Sequence, residues 1–184
     1  ARAARIAATR LTDLLWVSGD GTGLAGMLAV AAVNTTVAAL PRAVAWCADG
    51  RLWEYAADPD TRVLIVSELL RVSAPSPILP RVAAGPGRLA GCPVRPGDRL
   101  ALVARHAADA HRSDPNCVSP APARVAQLVF GAGSHACPGA RLARAQLSDT
   151  LAALAAYLPV VVRARAERRA ALPGWATLSI RATA

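Results

Sequence analysis

The run Phe130-Gly131-Ala132-Gly133-Ser134-His135-Ala136-Cys137-Pro138-Gly139, continued by Ala140-Arg141-Leu142-Ala143-Arg144, limits what this chain can be more than any other stretch. Gly131 and Gly133 permit positive φ and close backbone approach, so the chain can pass beneath a flat ligand while aiming one side chain at its centre. Cys137 is that side chain, and the residues after it read as a long helix. The positive end of a helix and its unpaired amides favour an anionic sulfur, the form that ligates a metal. The same amides can bond to the sulfur and tune the electron density of what it holds. His135 and Arg141 are close enough in sequence to offer positive charge to an acidic ligand edge. The bland alternative makes Cys137 a small hydrophobe in a helix-capping loop.

The run resembles the haem-binding signature of the cytochrome P450s, the haem-thiolate monooxygenases, in which Phe, two Gly, His or Arg, the ligand Cys and a following Gly recur at this spacing. The resemblance implies Cys137 as axial thiolate to the iron of heme b (iron protoporphyrin IX), with Phe130, Gly131, His135 and Gly139 around the cofactor. It implies a mainly α fold with small β-sheets, namely the carboxyl-terminal haem-binding part of the P450 fold without its amino-terminal half. The implied activity is hydroxylation of a small organic substrate with dioxygen and electrons from a redox partner.

Further segments match in order. Glu68-Leu69-Leu70-Arg71 resembles the family's E-x-x-R, with acid and base sharing one helical face at i and i+3. Such pairs on a surface contribute little, so the spacing alone is weak evidence. The resemblance implies that Arg124, in Pro122-Ala123-Arg124, completes a structural Glu-Arg-Arg cluster, and that Arg81 reaches a haem propionate. Ala31-Ala32-Val33-Asn34-Thr35-Thr36 resembles the oxygen-binding stretch of the family's long distal helix. Thr35 then supplies the catalytic hydroxyl, while Asn34 stands where an acid is expected and cannot relay a proton as a carboxyl group does. Ala32 replaces the glycine that commonly opens the oxygen groove. Taken alone, the lesser alternative for this segment is an ordinary buried helix with two threonines.

All 21 basic residues are arginine and the net charge is +9, an alanine-rich bias that points to a bacterial source. Arg105, Arg112, Arg141 and Arg144 would favour association with an acidic electron donor such as a ferredoxin. Nucleic-acid binding is a poor fit, because the arginines are scattered and Phe and Tyr are scarce, at one and two. Cys47, Cys92, Cys117 and Cys137 show no C-x-x-C spacing, which argues against a structural zinc site. No amino-terminal signal pattern is present, and the apolar window Leu24 to Leu40 reads as a buried helix interrupted by Asn34, Thr35 and Thr36. A cytoplasmic chain without a membrane span is the expectation. The start at Ala1 and the length of 184 residues, against family members more than twice as long, point to a fragment or a processed piece.

One partial domain is expected over 1–184, divided into a distal and E-x-x-R helix region (1–72), small strands and a meander loop (73–129), the Cys loop with its helix (130–159) and a terminal hairpin (160–184). Arg5 to Ser18 reads as helical, and Gly19 to Gly23 as a turn. Pro41 is expected to end or kink the long apolar helix, with further helices over Pro41 to Cys47 and around Leu52 to Ala57. Asp58-Pro59-Asp60 caps the helix bearing Glu68. Leu147, Leu151, Leu154 and Leu158 mark one face of the helix after Cys137, closed by Pro159, and Pro173-Gly174 marks the hairpin turn. Gly21-Thr22-Gly23-Leu24-Ala25-Gly26 satisfies G-x-G-x-x-G, but the next strand-like run, Val63 to Val66, comes too late for a dinucleotide fold. The competing functional class is a non-catalytic truncated homologue or accessory subunit that binds a partner enzyme. Large exposed apolar area on the distal side would favour it.

Overall fold

The computed structural model describes residues 6, 9–10, 13, 24–167 and 172–184, and local signals set most of the element boundaries within them. The order is α1 (Leu24–Asp49), α2 (Trp53–Ala57), α3 (Pro59–Ser73), β1 (Leu79–Val82), β2 (Gly87–Leu89), β3 (Cys92–Val94), β4 (Arg99–Leu102), α4 (Ala104–Ala107), α5 (Ala123–Ala126), α6 (Ala140–Ala155), β5 (Val160–Glu167) and β6 (Gly174–Arg181). Short 3-10 turns lie at Gln127–Phe130 and Gly133–His135. Residues 6, 9, 10 and 13 are helical, as expected for the first segment. The rest of that segment, and the glycine turn before Leu24, lie outside the described residues.

α3 starts where the Asp58 carboxylate accepts the Asp60 N–H at 2.9 Å, with Pro59 at a position whose N–H would be unpaired anyway. It ends where Ala74 takes a left-handed φ of 35° and returns its N–H to Leu70 O, and Pro75 then blocks continuation. The run Val63 to Val66 is one turn of this helix, not a strand. Of the two outcomes expected of Pro41, an end or a kink, the first does not occur: α1 runs through it. Its ring holds a helical φ, and burial of Ala38, Ala39, Ala43, Val44 and Cys47 on either side outweighs the one lost backbone bond.

The core gathers Ala43, Val44 and Cys47 of α1, Trp53 and Ala56 of α2, Ile65 and Leu69 of α3, and Leu147, Leu151 and Ala155 of α6. Leu147 and Leu151 occupy the expected face, but Leu158 lies beyond the helix end at φ 42° and is exposed. The Trp53 indole N–H donates to Pro159 O at 2.9 Å and pins the end of the α6 region to α2. Three antiparallel pairs complete the fold: β1 with β4 (Leu79 opposite Leu102), β2 with β3, and β5 with β6. Gly174 pairs with Glu167 and so opens β6, which places the hairpin connection before it, largely in residues outside the described set.

α1 has two characters. Its second half is buried in the core, whereas Met27, Val30, Val33 and Val37 form an exposed apolar stripe at helical spacing. By length and composition the helix could cross a membrane, but its buried half is committed to the core.

Burial pushes the Cys47 thiol up from 9.0 to about 12, with the neighbouring Cys117 as a lesser cause. The folded state therefore keeps the proton over a pH range in which the unfolded chain loses it. The stability linked to Cys47 is complete below about pH 9 and declines through pH 12 by about 1.4 kcal/mol per pH unit. Denaturant titrations across this range should show a shallower alkaline decline in Cys47→Ala than in the parent.

Candidate functional site

Phe130, held in a 3-10 turn, leads into Gly131 at φ 73° and Gly133 at φ 69°, conformations that side chains with a Cβ rarely adopt. A Cβ on Gly131 would also meet His135 O at 3.4 Å. The loop closes on itself, with Cys137 N–H donating to Phe130 O at 2.8 Å and Ala136 N–H to Gly133 O at 3.1 Å. Cys137 thus stands just ahead of α6 rather than within it, and Ala140 N–H donates to its carbonyl at 3.4 Å. Gly139 lies beside the sulfur: a Cβ there would sit 3.8 Å from Cys137 Sγ. Arg144 braces the loop from below, its guanidinium 4.5 Å from the Phe130 ring centroid and donating to Gln127 Oε1 at 2.7 Å.

A cavity of about 490 Å³ opens between this loop, α1 and the chain from Pro75 to Arg81. That volume falls in the range of roughly 300–1,000 Å³ usual for small-molecule sites. Cys137, His135, Phe130, Gly139, Arg81 and Thr35 all line it, so residues far apart in sequence converge on one cavity. Gly131 shapes the loop without lining the cavity. Arg81 Nη1 donates to Pro80 O at 2.8 Å, and Thr35 Oγ1 donates to Ala31 O at 2.7 Å within its own helix. Asn34 is exposed and does not line the cavity, because one residue along a helix turns a side chain well away from its neighbour. A soft sulfur, apolar walls and a cationic edge can hold a flat, metal-bearing, acidic group.

α3, whose Leu70 lines the cavity, also carries a buried ion pair. Arg71 donates through Nε and Nη2 to the two Glu68 carboxylate oxygens at 2.9 and 2.8 Å, and the residues are 0% and 1% exposed. Arg71 also donates to the carbonyls of Asp109 at 2.9 Å and Ser113 at 3.1 Å, while Glu68 accepts from the N–H of Asn116 and Ala121. The i, i+3 spacing therefore marks a fully buried anchor here, not a surface pair.

No family model matches the chain. Erythromycin C-12 hydroxylase of Saccharopolyspora erythraea is 38% identical over 99 residues, which cover 50% of this chain and 24% of that protein. The structure of Mycobacterium smegmatis CYP164A2 superposes with a TM-score of 0.66 at 28% identity, covering 80% of this chain and 39% of the other. The cytochrome P450 enzyme CYP109B1 of Bacillus subtilis gives a TM-score of 0.69 at 23% identity, covering 86% and 45%.

In sequence and in fold the chain is similar to the cytochrome P450s. It carries the carboxyl-terminal part of the P450 fold, mainly α with small sheets, and spans about a quarter of the curated relative and less than half of these two solved structures. One implied P450 feature is arranged differently. Arg124 is exposed on α5 and does not reach Glu68, whose remaining acceptor positions are filled by the Asn116 and Ala121 amides. Ala121, three residues before Arg124, itself bonds Glu68, so Arg124 is close in the chain but its side chain is exposed to solvent. The brace at Arg144 and the lining residue Gln146 escaped the sequence reading, which took Arg144 as surface charge and had no motif to flag Gln146.

Glu68→Gln would leave the buried Arg71 charge uncompensated, a loss of about 3–5 kcal/mol. Urea unfolding should show a correspondingly lower midpoint, with Asp60→Ala, at an exposed helix start, as a mild control.

Proposed function

We propose that this chain binds heme b through the Cys137 thiolate and forms the haem-binding part of a bacterial P450 monooxygenase acting on a small organic substrate. The observation that carries the reading is convergence: Cys137 of the glycine loop and Thr35 of α1 line one apolar cavity. When bound, haem would supply dioxygen activation and insertion of one oxygen atom into the substrate. Cys137 would be the metal ligand, with Gly139 leaving its sulfur uncovered. Arg81, turning from its weak local bond to Pro80, would pair with a propionate, and His135 would offer a donor on the same rim. Phe130 would pack against the macrocycle edge, its ring held by Arg144. Thr35 would hold a proton beside the substrate, its hydroxyl kept in place by the Ala31 carbonyl. Asn34 is the weaker member of this pair and would act through solvent.

Electrons would come from an acidic ferredoxin-type donor drawn to exposed Arg105 and Arg141. Arg112 contributes less, being engaged with Asp109 at 3.5 Å. A cytoplasmic setting fits these partners. A second reading, an accessory subunit that binds a partner enzyme, is favoured by one specific observation. Met27, Val30, Val33 and Val37 are 50–65% exposed along a single helix face, an apolar stripe of the kind a partner surface can cover.

A reduced, carbon-monoxide-treated spectrum of haem-supplied protein should show a strongly red-shifted Soret band that is lost in Cys137→Ser. A parent protein without that band would sink the haem-thiolate reading. In the loaded protein, Thr35→Ala should keep reductant consumption while product falls several-fold, and product formation unchanged by the substitution would remove Thr35 from the mechanism.

A further inference from the structure

The cavity contains one polar contact that crosses between elements. Thr36 Oγ1 on α1 lies 3.4 Å from Gln146 Oε1 on α6, and both residues line the cavity with Cys137. Among the described residues this is the side-chain hydrogen bond that joins α1 to α6. Thr35, by contrast, spends its hydroxyl proton within its own helix.

Packing alone sets the first half of α1 poorly. Its outer face is the exposed stripe Met27, Val30, Val33 and Val37, and its inner face looks onto the cavity through small side chains such as Ala31 and Ala32. Apolar contact is non-directional, so a helix held that way can slide or rotate at little cost. A hydroxyl-to-amide bond has direction and fixes both rotation and height. We infer that Gln146 is a positioning residue of the P450 site. By accepting the Thr36 hydroxyl it locks α1 over α6, and with it the separation between the Thr35 hydroxyl and the Cys137 sulfur. The contact is longer than the usual 2.7–2.8 Å or so of an O–H···O bond, and the two amide hydrogens of Gln146 remain available to a water beside it. The catalytic consequence rests on the haem-thiolate reading; the tie itself does not.

Two measurements separate them. In the chain without haem, Thr36→Val and Gln146→Leu should each lower the melting temperature by about 2–4 °C, and the double variant should fall no further than the worse single. Additive shifts would overturn the tie. In the haem-loaded protein, Gln146→Leu should lower product formed per reductant consumed several-fold with the carbon-monoxide band intact. Gln146→Glu, which keeps an acceptor oxygen for Thr36, should restore the ratio. An unchanged ratio in Gln146→Leu would overturn the positioning role. A missing band in the parent would count against haem ligation alone, leaving the thermal cycle to decide the tie.

Discussion

The Glu68–Arg71 pair is the fixed point of this structure. Two charges taken wholly out of water are tolerable only when each finds several partners, and here the partners are backbone groups of the loop from Asp109 to Ala121. That loop has no regular structure and little buried apolar surface of its own, so the pair supplies the order that packing does not. Since the same helix hands the chain through Ala74 and Pro75 to the cavity wall, the wall and the loop beneath it share one anchor.

The cysteine loop solves a different problem. It must present a sulfur without burying it, so it takes its rigidity from its own backbone, through Cys137 N–H on Phe130 O and two positive-φ glycines. Arg144 then couples the loop to the first turns of α6, stacking on Phe130 and bonding Gln127 with one guanidinium. The sulfur is fixed because everything around it is.

Much of this could be read from the residues. Two glycines, a cysteine and a helix start are local requirements, and the Asp58-Pro59 helix start follows from side-chain chemistry at adjacent positions. The reading failed where distant packing decided the outcome. Pro41 looked like a helix end, but core burial on both sides carries α1 past it. Arg124 looked like a cluster member, yet backbone amides, which no motif encodes, fill its place. Leu158 obeyed the heptad-like spacing but fell one turn beyond the helix. At the cavity, Thr35 and Cys137 could be nominated from the sequence because their residue types sit in specific motifs, and both line the cavity, whereas Gln146 is meaningful only through its distance to Thr36.

The division of α1 into a packed half and a bare half has a thermal corollary. From Ala38 onward the helix is committed to the core, but the turns before it have little besides the Thr36–Gln146 tie and intrinsic propensity, and Val30, Val33, Thr35, Thr36 and Val37 are indifferent helix formers. The roof of the cavity is therefore its softest member. On warming, it should fray from its amino-terminal end while the body beneath keeps its shape, so that the chamber loses its upper wall some degrees before the protein unfolds.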